Sequence, residues 1–417
     1  MDAPEPGPGE RRGGGALRRA VPATHCCDTP SPTLRNAKAL TRQLAELGRR
    51  RKWREAQVAL QEAKASGVTL DVFIYGSAIT AMAKSRRWRE AMELLAEMRD
   101  VGIPRNVFVF SAAIDACGKG GQWQRALSLL DGMRAEGITP NAFCFGAAIN
   151  ACGKGGQWQR AVSLLDEMSA DGIVPGQVSF AAAIDACVKG GEWERALSLF
   201  DESKAKGVRP DSFIFTIAID ACGKGGLWER ALSLFKEMKT RRVKRTAFHF
   251  AAAIDACGKA GEWERAVSLL TKMRAEGLVP DVVCYGAAIQ ACGHGRQWES
   301  ALSLFGEMRA AGTPPNVNCY NQAMHACSRC GQGEAALSLM SDMRAEGVSP
   351  DVVTHNTAID ACGKAGLWRQ ALSVLGDMRS AEEGVVAPDA WSFASAMDAC
   401  ARAGEWEKAW SLLDEMR

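Results

Sequence analysis

The sequence predicts an all-α fold: a right-handed superhelical solenoid of about ten to eleven helical hairpins, with the first helix of each hairpin lining the concave face. Three observations predict it. Tryptophan recurs at Trp53, Trp88, Trp123, Trp158, Trp193, Trp228, Trp263 and Trp298, each 35 residues after the last, and returns at Trp368. A fixed period of roughly 20 to 50 residues marks a tandem array whose units bury their apolar faces against one another. Within a unit, apolar residues recur at intervals of three and four on both sides of a glycine-rich break, which makes two amphipathic helices. Each unit then closes on glycine followed by proline, where glycine accepts a left-handed cap and proline cannot continue a helix.

From the N-terminus, residues 1–36 carry Pro4, Pro6, Pro8, Gly13, Gly14 and Gly15 with Arg11, Arg12, Arg18 and Arg19, and show no apolar period. They are expected to form a disordered leader. Asp2, Glu5 and Glu10 argue against an organelle-targeting presequence, because such segments are poor in acids.

Residues 37–417 read as the array, with units starting at Ala37, Val72, Val107, Ala142, Gln177, Ser212, Ala247, Val282, Val317, Val352 and Ala390. In the unit from Val107, the stripe Phe110, Ile114 and Cys117 defines the first helix. After Gly118 to Gly121, the stripe Trp123, Ala126, Leu127, Leu130 and Met133 defines the second, and Gly137, Pro140 and Asn141 make the turn. The unit from Val352 holds three extra residues within Ser380 to Gly384, where its second helix meets the turn. Loops accept such length cheaply. The unit from Val317 has Gly333 in place of tryptophan, close to Gly331, so the solenoid is expected to be weakest there. The unit from Ala390 is cut short, leaving the last repeat incomplete.

A net charge of +3 is too small to argue for nucleic acid by itself, so the distribution of charge has to make that case. No run of 18 apolar residues exists, so no membrane-spanning helix is expected. Of the 15 cysteines, nine (Cys117, Cys152, Cys187, Cys222, Cys257, Cys292, Cys327, Cys362 and Cys400) fall at one position of the apolar stripe. Equivalent atoms of stacked hairpins lie about 10 Å apart, too far for a disulfide, which needs its Cα atoms within about 7 Å. The expectation is free thiols that fill a core, in a reducing compartment. Cys327 and Cys330 form a C-x-x-C pair with no second pair at zinc-finger spacing, so no metal and no cofactor is expected. Nothing in the spacing points to a catalytic centre, and the chain is expected to act as a monomer.

The second, fifth, ninth and thirteenth residues of a unit share one face of the first helix, distinct from the core stripe. The thirteenth position holds Arg49, Lys84, Lys119, Lys154, Lys189, Lys224, Lys259, His294, Arg329, Lys364 and Arg402, one basic residue per hairpin. The second holds Phe73, Phe108, Phe143, Val178, Phe213, Phe248, Val283, Val353 and Trp391, with Lys38 and Asn318 as exceptions. A lysine at a helix end also complements the helix dipole, and an aromatic at a helix start also packs on its neighbour. Two such ladders on one face nonetheless suit single-stranded nucleic acid, whose phosphates want cations and whose splayed bases want flat partners.

These units resemble pentatricopeptide repeats over about nine tenths of the chain. The likeness rests on the 35-residue period, on openings such as Phe110-Ser111 and Tyr320-Asn321, on the second-helix pattern Trp-x-x-Ala-Leu-x-Leu-Leu-x-x-Met, and on the ending Gly-x-x-Pro-Asp/Asn. Tetratricopeptide repeats, which bind proteins, run at about 34 residues with another signature. The resemblance implies a P-type array that binds single-stranded RNA at one base per repeat, the fifth and last residues of the unit choosing the base. It implies that Thr41 with Asp71 reads guanine, Ser111 with Asn141 adenine, and Asn321 with Asp351 and Asn356 with Asp389 uracil, while Thr216 with Thr246 is ambiguous. Gly76, Gly146, Ala181, Ala251, Gly286 and Ala394 depart from the pattern and lack a group to read with. The resemblance further implies a mitochondrial or plastid role in RNA stabilisation, processing, splicing or translation. Two other readings stand beside it: a scaffold whose groove binds an extended peptide, and the N-terminal part of an RNA-processing enzyme.

Overall fold

A computed structural model describes residues 32–380 and 387–416. The expected disorder of residues 1–31, the insertion from Ala381 to Gly384 and Arg417 lie outside the described residues. Among the described residues there are 22 helices and no strand. Hairpins follow one another in the predicted register, and the chain is a stacked helical solenoid. The first helix runs from Pro32 to Arg49, so it starts five residues ahead of Ala37 and takes in the end of the expected leader. Proline is tolerated in a first turn because its missing N–H is one of the unpaired donors there.

The unit from Val107 shows how the local chemistry works. Its first helix, Val107–Lys119, is capped by Asn106, whose side chain accepts from Val109 N. Its second, Trp123–Ala135, ends on Gly137 at φ 73°. There Gly137 N donates to Arg134 O at 3.0 Å and Ile138 N to Met133 O at 3.0 Å, the paired closure that a left-handed glycine permits. Phe110, Ile114, Cys117, Ala126, Leu130 and Met133 are all buried, as their spacing predicts.

First helices pack on the first helices before and after them, whereas the backbones of second helices approach only first helices, their own and the next unit's, and reach one another through long side chains. The more closely spaced layer of a curved stack lies on the inside, so the first helices line the concave side. Close spacing depends on the twelfth position: a Cβ on Gly118 would come within 3.0 Å of Ala151 Cβ, and one on Gly258 within 2.8 Å of Ala291 Cβ. Val188 occupies that position in the unit from Gln177, and the first helices Gln177–Lys189 and Ser212–Lys224 touch less extensively than any other consecutive pair. The wedge is physical: a branched side chain stands where seven other units bring a glycine against an alanine.

The recurring tryptophan is an inter-unit contact. A Cβ on Gly120 would lie 2.2 Å from Trp88 Cδ1, and one on Gly155 2.3 Å from Trp123 Cδ1, so these two rings lie over a glycine of the following unit, as do Trp158, Trp193 and Trp263. Where the ring is missing, at Gly333, the next unit closes in instead: a Cβ there would stand 2.9 Å from Ala365 Cβ and 3.2 Å from Ala361 O. The helix Gly333–Ala345 is continuous and Gly333 is buried, so the packing shows none of the loosening expected at this point. On the outer side, ion pairs join consecutive second helices, as in Lys64–Glu97 at 2.5 Å, Arg274–Glu307 at 2.6 Å and Arg379–Glu415 at 2.6 Å.

Candidate nucleic-acid interface

The first-helix face carries the second-position series outward. Phe73, Phe108, Phe143, Val178, Phe213, Phe248, Val283, Val353 and Trp391 are 49% to 74% exposed, while the core around them is closed. Single exposed apolar side chains are ordinary, but nine at one repeat position form a recurring feature of the surface, interrupted at Asn318. Phe108 leans over the preceding unit, where a Cβ on Gly76 would meet its ring at 2.4 Å. Glycine at that fifth position therefore leaves room for the following aromatic.

The cation ladder is not a row of bare charges, and here the structure corrects the expectation. Lys119 Nζ lies 2.6 Å from Asp115 Oδ2, and the same pairing one helical turn back joins Lys189 to Asp185 (2.5 Å), Lys224 to Asp220 (3.4 Å) and Lys259 to Asp255 (2.7 Å). Lys364 pairs with Asp360 and Arg402 with Asp398. The ninth position supplies these acids, and it was legible in the sequence as a second ladder interleaved with the first. In the units from Val72, Ala142 and Val317 that position is Thr80, Asn150 and His325, so Lys84, Lys154 and Arg329 have no carboxylate partner among the described residues. Lys154 is held below the usual lysine range, first by burial, then by the charges of Lys119, Arg86 and Lys189, partly offset by Asp115.

The structure brings fifth and last residues together in two units. Asn321 Nδ2 donates to Asp351 Oδ1 at 3.2 Å, and Asn356 Nδ2 to Asp389 Oδ1 at 3.1 Å. A third residue completes each set: Thr354 Oγ1 donates to Asn321 Oδ1 at 2.7 Å, and Ser392 Oγ to Asn356 Oδ1 at 2.6 Å. Sequence reasoning missed Thr354 and Ser392, the third residues of their units. Hydrogen bonds from Thr354 and Asn321 hold Asp351 below the usual carboxylate range against its burial, and bonds from Ser392 do the same for Asp389.

The other expected pairs are not joined. Ser111 Oγ turns back to Phe108 O, Thr41 Oγ1 to Ala37 O, and Thr216 Oγ1 to Ser212 O. Asp71 and Asn141 cap the following first helix, accepting from Phe73 N and Ile74 N and from Phe143 N and Cys144 N. Acidic and amide residues at the last position thus have a structural duty, one that uses only Oδ1 of Asp71, Asp351 and Asp389. Thr246 is engaged by His249, whose ring lies between Thr246 and Ser212 and whose pKa is lowered by burial.

Thirteen cysteines among the described residues are free, and all but Cys330 are buried. Burial pushes the Cys117, Cys152, Cys187, Cys222, Cys257, Cys292 and Cys362 thiols up to about 11. Cys330 Sγ lies 3.2 Å from Arg296 O, and among the described residues no group of three or more metal-ligating side chains comes together.

Comparison with known proteins agrees with this architecture. A family model of the pentacotripeptide-repeat region of PRORP matches residues 177–299 and 204–392, together more than half of the chain. Repeat models of the same kind match residues 70–119, 106–203 and 391–417. No curated protein matches. The fold is similar to that of a cysteine-substituted pentatricopeptide repeat protein PPR10, in complex with an 18-nt psaJ RNA element, at 17% identity and a TM-score of 0.55, over 91% of this chain and 74% of that one. It is similar to PPR10 from maize at 24% identity and a TM-score of 0.53, over 91% of this chain and 59% of that one. At these identities the likeness is one of fold. Given the matched family models and the repeat they describe, the chain belongs to the pentatricopeptide repeat family.

Proposed function

We propose that the concave face binds single-stranded RNA at roughly one nucleotide per repeat. The observation that carries this reading is the exposed second-position series from Phe73 to Trp391, set beside a lysine or arginine in nearly every unit. Bases stack between successive second-position side chains, and the thirteenth-position residues Lys84, Lys119, Lys154, Lys189, Lys224, Lys259, Arg329 and Lys364 follow the phosphates. Asn321 with Asp351 and Asn356 with Asp389 are the base readers whose side chains already sit together, and each aspartate keeps Oδ2 for a base edge. Thr41 with Asp71, Ser111 with Asn141, and Thr216 read only after turning away from the backbone carbonyls they now bind or the helix ends they now cap. RNA is also the ligand of the PPR10 complex whose fold this chain shares. The role we assign is in organellar RNA stabilisation, processing, splicing or translation. Selection of bound sequences from a random RNA pool tests the reading: an enriched motif supports it, and a pool that stays random counts against it.

One observation favours a second reading, a scaffold for a protein segment. The Asp–Lys pairs neutralise much of the track, and a peptide groove tolerates that better than a phosphate track does. Equal retention of the pool by the wild-type protein and a variant with the lysine track removed would favour it.

A further inference from the structure

A cavity of about 680 Å³ opens on the concave face in the unit Ala142–Gly176, between Phe143 and Val178 and on towards Phe213. Its size falls in the range of small-molecule sites, about 300 to 1,000 Å³. Two features of the sequence make it. Gly146 and Gly176 place no side chain at either the fifth or the last position, and the Val188 wedge keeps the next two first helices apart. Glycine at Gly146 is not forced by crowding, because a Cβ there would meet only ordinary neighbours, Ser179 Oγ and Val178 Cγ1 at 3.7 Å. A Cβ on Gly176 would meet nothing within 4 Å.

Ser179 is the polar group that stands out in this cavity. It is 2% exposed, lines the cavity, and its hydroxyl has no hydrogen-bond partner among the described residues. Four units carry a buried polar third residue: Ser179, His249, Thr354 and Ser392. His249 binds Ser212 and Thr246, Thr354 binds Asn321 and Asp351, and Ser392 binds Asn356 and Asp389. Ser179 differs because Gly146 and Gly176 offer it nothing. A hydroxyl that lines an open cavity and has no protein partner takes its hydrogen bond from water or from a ligand. The remaining acids of the cavity are engaged: Asp115 and Asp185 with lysines, and Asp211 as the cap of the following helix.

We propose that the unit Ala142–Gly176 is a nucleobase seat in which Ser179, the third residue of the following unit, makes the base-edge contact that the missing fifth and last side chains do not. The inference rests on the RNA reading above and assigns that reading a further base-contacting residue. A hydroxyl both donates and accepts, so it bonds an edge of any base. The seat therefore binds without choosing, with Phe143 and Val178 as its flat and branched walls. Lys154, one of the cations with no carboxylate partner, stands on the same first helix to hold the adjoining phosphate.

The test uses the full chain and one selected RNA, in which each nucleotide in turn is changed to the other three bases or to an abasic residue. Ser179→Ala should weaken binding about fivefold, equally for all four bases at one nucleotide, the scale of one net hydrogen bond. An abasic residue at that nucleotide should cost the variant about fivefold less than the wild type, with no such coupling elsewhere. Melting temperature should not move, because Oγ has no protein partner to lose. In the second variant, Gly146→Asn with Gly176→Asp, uracil preference should appear at the same nucleotide, since Ser179 then stands where Ser392 stands beside Asn356 and Asp389. Wild-type affinity in Ser179→Ala, or a loss confined to one base, overturns the proposal while leaving RNA binding intact. Failure of the wild-type chain to bind any RNA overturns the RNA reading itself, and the proposal with it.

Discussion

Lys119 and Asp115 face each other at 2.6 Å one turn apart on the same helix, and this pair, rather than a lone lysine, is what the groove repeats. A phosphate approaching Lys119 has to compete with a carboxylate already in place. Exposed i,i+4 pairs are worth only about 0.3–0.5 kcal/mol each, so the competition is weak per unit and cumulative along the array.

The acid ladder should therefore act as a brake on RNA affinity. Replacing Asp115, Asp185, Asp220 and Asp255 with asparagine keeps the shape and removes four negative charges. Affinity for a selected RNA should rise on the order of tenfold at low salt and the gain should shrink as salt is added. Equal or weaker binding by the quadruple variant, measured by fluorescence anisotropy, would mean that phosphates do not approach these lysines.

Base choice should concentrate at the two units where the reading side chains are already joined. Changing Asn321 and Asn356 to threonine replaces an amide by a hydroxyl while Asp351 and Asp389 stay, and should move a pair of selected uracils towards guanine. Each correct base contact is worth roughly 1 to 3 kcal/mol by analogy with other base-edge readers. Selected pools that keep the uracil pair in the double variant would show that some other side chain reads those bases.

Core thiols give the array an alkaline limit. Burial raises Cys117, Cys152, Cys187, Cys222, Cys257, Cys292 and Cys362 to about 11, above their unfolded value of about 8.5. A raised folded pKa means that the stabilising contribution is whole below the unfolded pKa and is lost as pH climbs from about 8.5 to about 11. Melting temperature should fall across that window, and a variant with these seven cysteines changed to alanine should show a flatter profile from a lower start. Parallel profiles for the two proteins would contradict the burial account.

The spacing of the first helices should be set by the twelfth position. Gly258→Val pushes a branched side chain onto Ala291, whose Cβ would already be 2.8 Å from a single methyl group, and should cost about 1–3 kcal/mol. Circular dichroism melts read the change, and an unshifted melting temperature would show that the stack accommodates a wedge anywhere. Val188 shows that the wild-type array accommodates one.

The fold was legible because period, stripe and turn all pointed one way: Phe110, Ile114 and Cys117 are buried as spacing demanded, and Gly137 adopts the left-handed cap. The groove was legible only by position. Exposure of the second-position residues followed from the register, yet the Asp115–Lys119 pairing needed the ninth position to be read as well. Other features had no periodic signature to find. Thr354 and Ser392 belong to the hydrogen-bond sets of the preceding unit, a relation that exists only after hairpins stack. Gly333 looked like a weak point because propensity treats glycine as a missing side chain, whereas in the stack it admits Ala365 and Leu367. The duty of Asp71 and Asn141 as helix caps was also present in the sequence, at the residue just before each apolar stripe.

The central claim is that the cation track follows RNA phosphates, and the salt dependence of binding tests it most directly. Affinity of the wild-type chain for its selected single-stranded RNA should fall linearly with the logarithm of salt concentration. In the variant with Lys119, Lys154, Lys189, Lys224 and Lys259 changed to alanine, binding should weaken for every sequence and the slope should flatten by about 0.7 for each phosphate left without its lysine, with helical content unchanged. A variant that binds with wild-type affinity and an unaltered slope would contradict the account.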